Sequence, residues 1–149
     1  MSFRSYMDEA LKEARLAEAR GEVPVGAVVV SPDGEIVARG GNRTREDNDP
    51  TAHAEIVALR AACAALGQER LPGFDVYVTL EPCPMCAAAI SNARIRRLYY
   101  GASDPKSGGV AHGAKIYSHA QCHHAPEIYD GIAGDEAETM LKAFFASKR

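Results

Sequence analysis

The first apolar residues of the chain recur at the spacing of an amphipathic helix. Those that share one helical face are Met7, Ala10, Leu11, Ala14 and Ala17. This pattern predicts a helix over residues 4–20 with that face in the core. Ser5 and Asp8 resemble a capping box at its start, and Gly21 fits its stop.

Five further stretches have the composition of β-strands. Residues 25–30 form a continuous apolar run, which is typical of a strand buried on both faces. After a Pro-Asp-Gly turn, residues 36–39 are expected to return as its antiparallel partner. Apolar and β-branched residues also dominate 76–80 and 95–101, and a last short strand is expected at 128–129.

The helices predicted between these strands are unusually apolar. Residues 53–66 carry apolar side chains nearly all round, which indicates a helix buried on more than one face. The sheet would cover one face, and a second subunit is a natural cover for the other. Small residues at 87–90 predict a closely packed helix after Cys83, and this helix would make the strands on either side of it parallel.

The order of the predicted elements indicates an α/β protein. Helices fall on both sides of the strands in the chain, so we expect three α/β/α layers around a mixed central sheet of about five strands. Residues 101–126, rich in Gly, Ser and His, are predicted to be a loop with a short helix inside. A final helix has an apolar face at Ala137, Met140, Leu141 and Phe144. Without a visible repeat or linker, residues 1–149 are expected to form a single domain.

Composition adds little to this picture. The chain has 46% hydrophobic and 25% charged residues, which is ordinary for a globular protein. No apolar stretch has membrane-spanning length, and the start lacks the apolar segment of a signal peptide, so we expect no membrane partner and a cytoplasmic location. The formal net charge of −3 argues mildly against a nucleic-acid partner, unless the basic residues gather on one face.

His53, Cys83 and Cys86 have the types and spacing of zinc ligands. The two cysteines lie where a strand turns into a helix, whose N-terminus favours thiolates. One histidine and two cysteines leave a tetrahedral zinc with an open position, which marks a catalytic site. Glu55 is a carboxylate in the right place to move protons for a zinc-activated water. We therefore expect one Zn²⁺ per subunit.

Other interpretations of these residues remain open. Cys63 or Cys122 could close a structural zinc site, and the Cys-x-x-Cys pair could be a redox dithiol. Neither alternative gives Glu55 a role. The histidines in residues 112–124 could hold a second metal, but adjacent histidines on an extended chain point in opposite directions. Surface hydrogen bonding or substrate contact is the favoured role for them.

His-x-Glu followed by Pro-Cys-x-x-Cys is the signature of zinc nucleobase deaminases. Beyond it, the chain resembles the bacterial tRNA-specific adenosine deaminases of the cytidine-deaminase-like superfamily. The motifs that carry this resemblance, over almost the whole chain, lie at residues 22–27, 41–43, 51–56, 71–72, 79–86, 101–108, 131–132, 144–145 and 148–149.

The resemblance implies a cytidine-deaminase-like fold and a homodimer that binds a tRNA anticodon stem-loop. It implies that the wobble adenosine is converted to inosine by zinc-activated water, with Glu55 as the catalytic proton shuttle and Zn²⁺ held by His53, Cys83 and Cys86. The substrate contacts that it implies are Pro24, Val25, Asn42, Ala54, Leu80, Asp104, Lys106, His123, His124 and Phe145.

An acidic chain can bind RNA if its basic groups share one face. The candidates are Arg43, Arg45, Lys106, Lys115, Lys142, Lys148 and Arg149. Deamination of a free base or nucleoside such as guanine or cytosine is the second hypothesis, because Pro-Cys-Pro-Met-Cys also occurs in guanine deaminase-like proteins. A catalytically silent RNA-binding subunit is the third, although such relatives usually replace the glutamate that is present here as Glu55.

Overall fold

The computed structural model describes residues 2–148, so Met1 and the predicted basic residue Arg149 lie outside the described part. The helices and strands, in chain order, are α1 (Phe3–Ala19), β1 (Gly26–Val30), β2 (Ile36–Gly41), α2 (Ala54–Leu66), β3 (Asp75–Leu80), α3 (Pro84–Asn92), β4 (Arg97–Ala102), a 3₁₀ helix (Ile116–Ser118), β5 (Glu127–Tyr129) and α4 (Gly134–Ser147). The predicted α/β class and five-stranded mixed sheet are confirmed.

The sheet has the strand order β2-β1-β3-β4-β5. Strand β1 pairs antiparallel with both β2 and β3, whereas β4 runs parallel to β3 and β5. Helix α3 is the crossover between β3 and β4, as the sequence predicts. Because β1 and β3 are antiparallel, the start of β1 meets the carboxyl end of β3, and the Gly26 N–H donates to Thr79 Oγ1 at 3.2 Å.

Helices cover both faces of the sheet. Alternate strand residues such as Val29 and Val78 pack with α2 and α3 on one face. Val28 and Tyr77, which point the other way, pack with α1. Helix α4 joins the α1 side through a cluster that includes Ala137. The period-two alternation of side chains in the strands thus supplies two core layers from one sheet.

The approach of α2 to β2 depends on a glycine. A Cβ on Gly40 would lie 2.9 Å from the backbone nitrogen of Ala58, so only a residue without a side chain lets α2 pack this close. This contact fixes the start of α2, which carries part of the candidate site described below.

The first helix begins before its predicted capping box. Its cap is Ser2, whose Oγ accepts a hydrogen bond from the Ser5 N–H at 3.2 Å. The Asp8 carboxylate instead accepts a hydrogen bond from Arg4 at 2.9 Å. Ser5 and Asp8 are therefore interior helical residues, and the predicted capping box is wrong. The serine that caps is the one with an extended backbone, which spacing alone does not reveal.

Candidate active site

Two helix starts bring the predicted zinc ligands together. His53 is the N-cap of α2, and Cys83 is the N-cap of α3, with Cys86 in the first turn of that helix. Both caps have an extended backbone, and neither side chain makes a capping hydrogen bond. Pro84 occupies the first helical position, where a missing N–H costs nothing. The imidazole and the thiols are therefore free to converge on an ion.

The distances within this cluster match a tetrahedral zinc site. His53 Nδ1 lies 3.6 Å from Cys83 Sγ and 3.5 Å from Cys86 Sγ. Zinc bonds of about 2.0–2.1 Å to nitrogen and about 2.3 Å to sulfur, at a tetrahedral angle, separate the two ligand atoms by about 3.6 Å. The residues present thus fit Zn²⁺. Between residues 2 and 148, no other group of three potential ligands has this arrangement.

The remaining cysteines do not join the cluster. Cys63 Sγ lies 3.8 Å from the Glu69 carbonyl oxygen, and Cys122 Sγ lies 3.1 Å from that of His124. Three protein ligands without a fourth are typical of a catalytic zinc site rather than of a closed structural one.

The electrostatics of the cysteine pair favour a thiolate. A hydrogen bond from the Cys86 thiol lowers the pKa of Cys83 to about 4. The same bond, together with burial, raises the pKa of Cys86. Zinc bound here would take both cysteines as thiolates.

Glu55 lies beside the metal ligands, in the first turn of α2. The residue is only 4% exposed, and burial raises the pKa of its carboxyl to about 7. A carboxyl with such a pKa can both take up and release a proton near neutral pH. This is the property that general acid–base catalysis requires.

The cluster opens into a pocket of about 200 Å³. The lining residues are Val23, Val25, Asn42, His53, Ala54, Glu55, Leu80, Glu81, Cys83, Asp104 and Ser107. Small-molecule sites usually have volumes of roughly 300–1,000 Å³, so this smaller pocket suits a single ring system.

Asn42 provides an unpaired acceptor in this pocket. Its backbone N–H donates to the Val25 carbonyl oxygen at 3.1 Å, which fixes the residue at the end of β2. Its buried side-chain Oδ1 has no hydrogen-bond partner among residues 2–148. An unsatisfied buried oxygen is unfavourable, so a ligand that donates a hydrogen bond here would be stabilised.

The structure brings together about half of the predicted substrate contacts. Val25, Asn42, Ala54, Leu80 and Asp104 line the pocket. Pro24 is buried next to Val25 but outside the lining, and Lys106 is exposed on the loop that follows Asp104. Phe145 is half exposed on α4, where its ring packs edge-on against Phe144.

His123 and His124 lie away from this pocket, near the carboxyl end of α3. His124 Nε2 donates to the Ile95 carbonyl oxygen at 2.6 Å, and Ser91 Oγ donates to the His124 carbonyl oxygen at 2.6 Å. Ser91 is about 12 Å from Cys83 along the helix axis. The two histidines therefore do not reach the pocket of their own subunit, and their predicted RNA contact stays a prediction.

Two buried glutamates near the pocket have no role in the sequence-based prediction. Glu22 accepts hydrogen bonds from the Arg45 and Glu46 N–H groups, and Glu81 accepts several from the loop after β4. Burial alone would raise the pKa of Glu81, but these hydrogen bonds lower it below its ordinary value. For Glu81 the sequence does offer a signal, because this glutamate comes directly after an apolar strand. Buried acidic residues are rare unless they are paired, so such a position indicates a partner.

Comparisons with known proteins agree with this site. Residues 2–102 match the family model described as cytidine and deoxycytidylate deaminase zinc-binding region. A tRNA-specific adenosine deaminase of Agrobacterium fabrum is 63% identical over 144 residues, which covers 97% of this chain and 94% of that protein.

Solved structures show the same relationship. A structure from studies of A-to-I editing by tRNA:A34 deaminases at the wobble position of transfer RNA has a TM-score of 0.90 and 64% identity, over 92% of this chain and 99% of that one. A guanine deaminase of Bacillus subtilis has a TM-score of 0.68 and 32% identity, over 99% and 94% of the respective chains.

The fold and the His-Cys-Cys cluster beside a buried glutamate define a zinc-dependent deaminase of the cytidine and deoxycytidylate deaminase class. Within this class, the chain belongs to the family of tRNA-specific adenosine deaminases.

Proposed function

We propose that this chain hydrolytically deaminates the wobble adenosine of a tRNA anticodon loop to inosine, with residues 1–149 as one deaminase domain. The observation that carries the proposal is the meeting of three zinc ligands, buried Glu55 and the unpaired Asn42 oxygen around one ring-sized pocket. The similarity to tRNA-specific adenosine deaminases supports adenosine in tRNA as the substrate.

The residues of the site divide the chemistry between them. Zinc bound by His53, Cys83 and Cys86 would lower the pKa of a water molecule from about 15.7 toward about 7. Glu55 takes one proton of the attacking water and delivers it to the ring nitrogen. It then takes the second proton from the oxygen that has become bonded to the adenine carbon and delivers it to the leaving amine. The water oxygen becomes bonded to the adenine carbon, the bond to the amine breaks, and ammonia leaves.

The walls of the pocket hold the base in place. Val25 and Leu80 provide apolar surface, and Asn42 Oδ1 can accept a hydrogen bond from the flipped nucleoside. Extrusion of a base costs less in a single-stranded loop than in a duplex, because fewer stacking and pairing contacts are lost. The architecture therefore suits a nucleoside presented by a hairpin loop.

Basic residues near the pocket support an RNA substrate despite the net charge of −3. Lys106 is exposed beside the pocket and has no ion pair within the described part of the chain. Arg43 is partly neutralised, since it pairs with Asp47 at 3.1 Å. Phosphate contacts by Lys106 and its neighbours would make binding salt-dependent, with a slope near −0.7 per neutralised phosphate on single strands.

We expect the purified protein to convert adenosine to inosine in a short anticodon stem-loop with an adenosine at the wobble position. Activity should fall as salt is raised, because phosphate contacts are screened, and free adenosine should be almost untouched. Nucleoside analysis after digestion measures inosine directly. A stem-loop with guanosine at the wobble position is the matched control.

Rapid deamination of free guanine, cytosine or adenosine, with the stem-loop unchanged, would favour the free-base hypothesis. RNA binding without turnover would favour the silent subunit.

We further propose a homodimer that uses α2 and α3. The sheet covers only one face of α2, and Leu66 is 41% exposed and Met85 on α3 is 36% exposed. The alanines at 61, 64 and 65 extend the same apolar character along α2. Exposed apolar residues on neighbouring helices are typical of an interaction site when they form one patch.

Light scattering at micromolar concentration is expected to give the mass of two chains. Ala61→Glu should convert the dimer to a monomer, because it places a charge in the apolar contact. Ala143→Glu, an exposed alanine on α4, is the matched control and should leave the dimer intact. A wild-type monomer would contradict the proposal.

All four cysteines are free thiols. We propose a cytoplasmic location, where a chain without disulfides is the ordinary case. In the described part of the chain, no helix has both the length and the apolar composition needed to cross a membrane.

A further inference from the structure

Glu81 follows β3 directly and is 1% exposed, yet its carboxylate is fully engaged. Oε1 accepts from the Asp104 N–H at 3.0 Å and from His112 Nδ1 at 2.7 Å. Oε2 accepts from three successive backbone N–H groups, at 3.2 Å from Val110, 2.9 Å from Ala111 and 3.1 Å from His112. Five donors converge on one carboxylate. An ionised carboxylate has no donor, so both of its oxygens act here as acceptors.

The donors all belong to one loop, residues 103–113, which forms a wall of the pocket. Asp104 and Ser107 of this loop line the pocket, and Asp104 Oδ1 accepts from the Ser107 N–H at 3.0 Å. A Cβ on Gly108 would lie 2.5 Å from Glu81 Oε2, so the loop backbone is pressed directly onto the carboxylate. The Gly109 N–H donates to the Pro82 carbonyl oxygen at 2.8 Å and ties the loop to the zinc motif.

Regular secondary structure contributes little to holding this loop. Apart from a 3₁₀ helix at Ile116–Ser118, residues 103–126 contain no helix or strand. Four backbone N–H groups of the loop, those of Asp104, Val110, Ala111 and His112, therefore find their acceptor in the side chain that follows β3 rather than in a ladder. Without Glu81, several buried N–H groups would lose their partner at once, which is unfavourable.

We propose that Glu81 is a positioning residue, which holds the 103–113 loop as the outer wall of the nucleoside pocket and thereby sets how tightly the substrate binds. This inference rests on the proposed function, because it assigns the loop to that substrate. Glu81 does not move protons itself: its acceptor capacity is used by the loop, whereas Glu55 lies beside the metal ligands.

Glu81→Gln tests the assignment with little change of volume. The amide oxygen can face the three successive N–H groups, but its NH₂ group then opposes the Asp104 N–H. We expect KM for the anticodon stem-loop to rise by about tenfold or more, with kcat within about threefold of wild type and one zinc per chain. Glu81→Asp retains the carboxylate and should give an intermediate KM.

Hydrogen exchange of the free protein tests the same idea without substrate. The amides of Asp104, Val110, Ala111 and His112 should exchange faster in Glu81→Gln, while those of the central strands stay protected. Asp75→Asn is the matched control: Asp75 is a buried acid at the other end of β3 that pairs with Arg96 at 2.9 Å. It should leave both KM and the exchange of these four amides unchanged.

The outcomes separate this inference from the proposed function. A wild-type protein that leaves the stem-loop unmodified would reject the function, whereas the exchange experiment would still decide whether Glu81 holds the loop. An unchanged KM, a fall in kcat alone, or a loss of zinc in Glu81→Gln would overturn the positioning role. If that variant does not fold, His112→Ala is the second test: it removes the one ring contact, from Nδ1 to Glu81 Oε1, but keeps the carboxylate and the backbone donors. This variant should raise KM and speed exchange to a smaller degree, and no change in either would equally overturn the positioning role.

Discussion

Cys86→Ser is expected to lose both the bound zinc and the deaminase activity, while the wild-type protein carries about one zinc per chain. A serine hydroxyl does not ionise near neutral pH, so the variant offers no third anionic or nitrogen ligand at this position. Cys86 is completely buried in the first turn of α3, so the serine hydroxyl would stand at the ligand position without a charge. His53 and Cys83 alone would hold zinc only weakly.

Metal analysis and thermal unfolding measure this loss independently of turnover. Zinc bound only to the native state stabilises it by mass action, so a chelator should lower the Tm of the wild-type protein and have little effect on Cys86→Ser. Cys63→Ser is the matched control, since this half-buried thiol of α2 lies outside the ligand cluster and hydrogen-bonds to the Glu69 carbonyl oxygen at 3.8 Å. Full zinc occupancy in Cys86→Ser would reject the ligand assignment.

The architecture follows from the hydrophobic pattern because that pattern reports burial. The continuous run at 25–30 is buried on both faces, and the helix predicted after Cys83 does connect two parallel strands. The limits of elements are harder to predict, because they depend on hydrogen bonds. The apolar residues of 95–101 predict a strand that begins at Ile95, but the ladder starts at Arg97, and Ile95 is fully buried before it. Burial of Ile95 comes from the turn before the strand.

The zinc cluster is predictable from sequence because its chemistry lies in side chains with a fixed spacing. The pair Cys83 and Cys86 and the pair His53 and Glu55 each mark a helix start, and two such starts at one sheet edge complete the site. By contrast, four of the five partners of Glu81 are backbone N–H groups about 23–31 residues further along the chain. Every residue except proline has a backbone N–H, so the sequence does not show which of them bond to Glu81. These hydrogen bonds are visible only in the structure.

In the histidine-rich stretch, residues 112–124, the residue types are visible in the sequence but do not decide what the side chains do. For His123 and His124 the sequence leaves two roles open, surface hydrogen bonding and substrate contact. The structure shows a local hydrogen bond of His124, whose ring donates to the Ile95 carbonyl oxygen shortly after α3, and the RNA contact of both histidines stays a prediction. A histidine's neighbours, which are set by the fold, decide between these roles.

Glu55→Gln is expected to retain zinc and fold but to lose activity by at least about 10²–10⁴-fold, the usual contribution of one acid–base group. The amide has nearly the same size as the carboxyl but cannot take up a proton. Here one residue serves successive proton transfers, from the attacking water to the ring nitrogen and to the leaving amine. The loss should therefore lie at the upper end of this range, with kcat affected and KM nearly unchanged.

The stability of this variant distinguishes a catalytic group from a structural one. Burial raises the pKa of Glu55 to about 7, so ionisation of this carboxyl is unfavourable in the folded protein. Replacing it with a neutral amide should leave the Tm equal to or above that of wild type, as for many active-site residues whose environment favours function over stability. Single-turnover deamination of the stem-loop and metal analysis complete the test. Near-normal turnover would remove Glu55 from the mechanism, and zinc loss would make it part of the metal site instead.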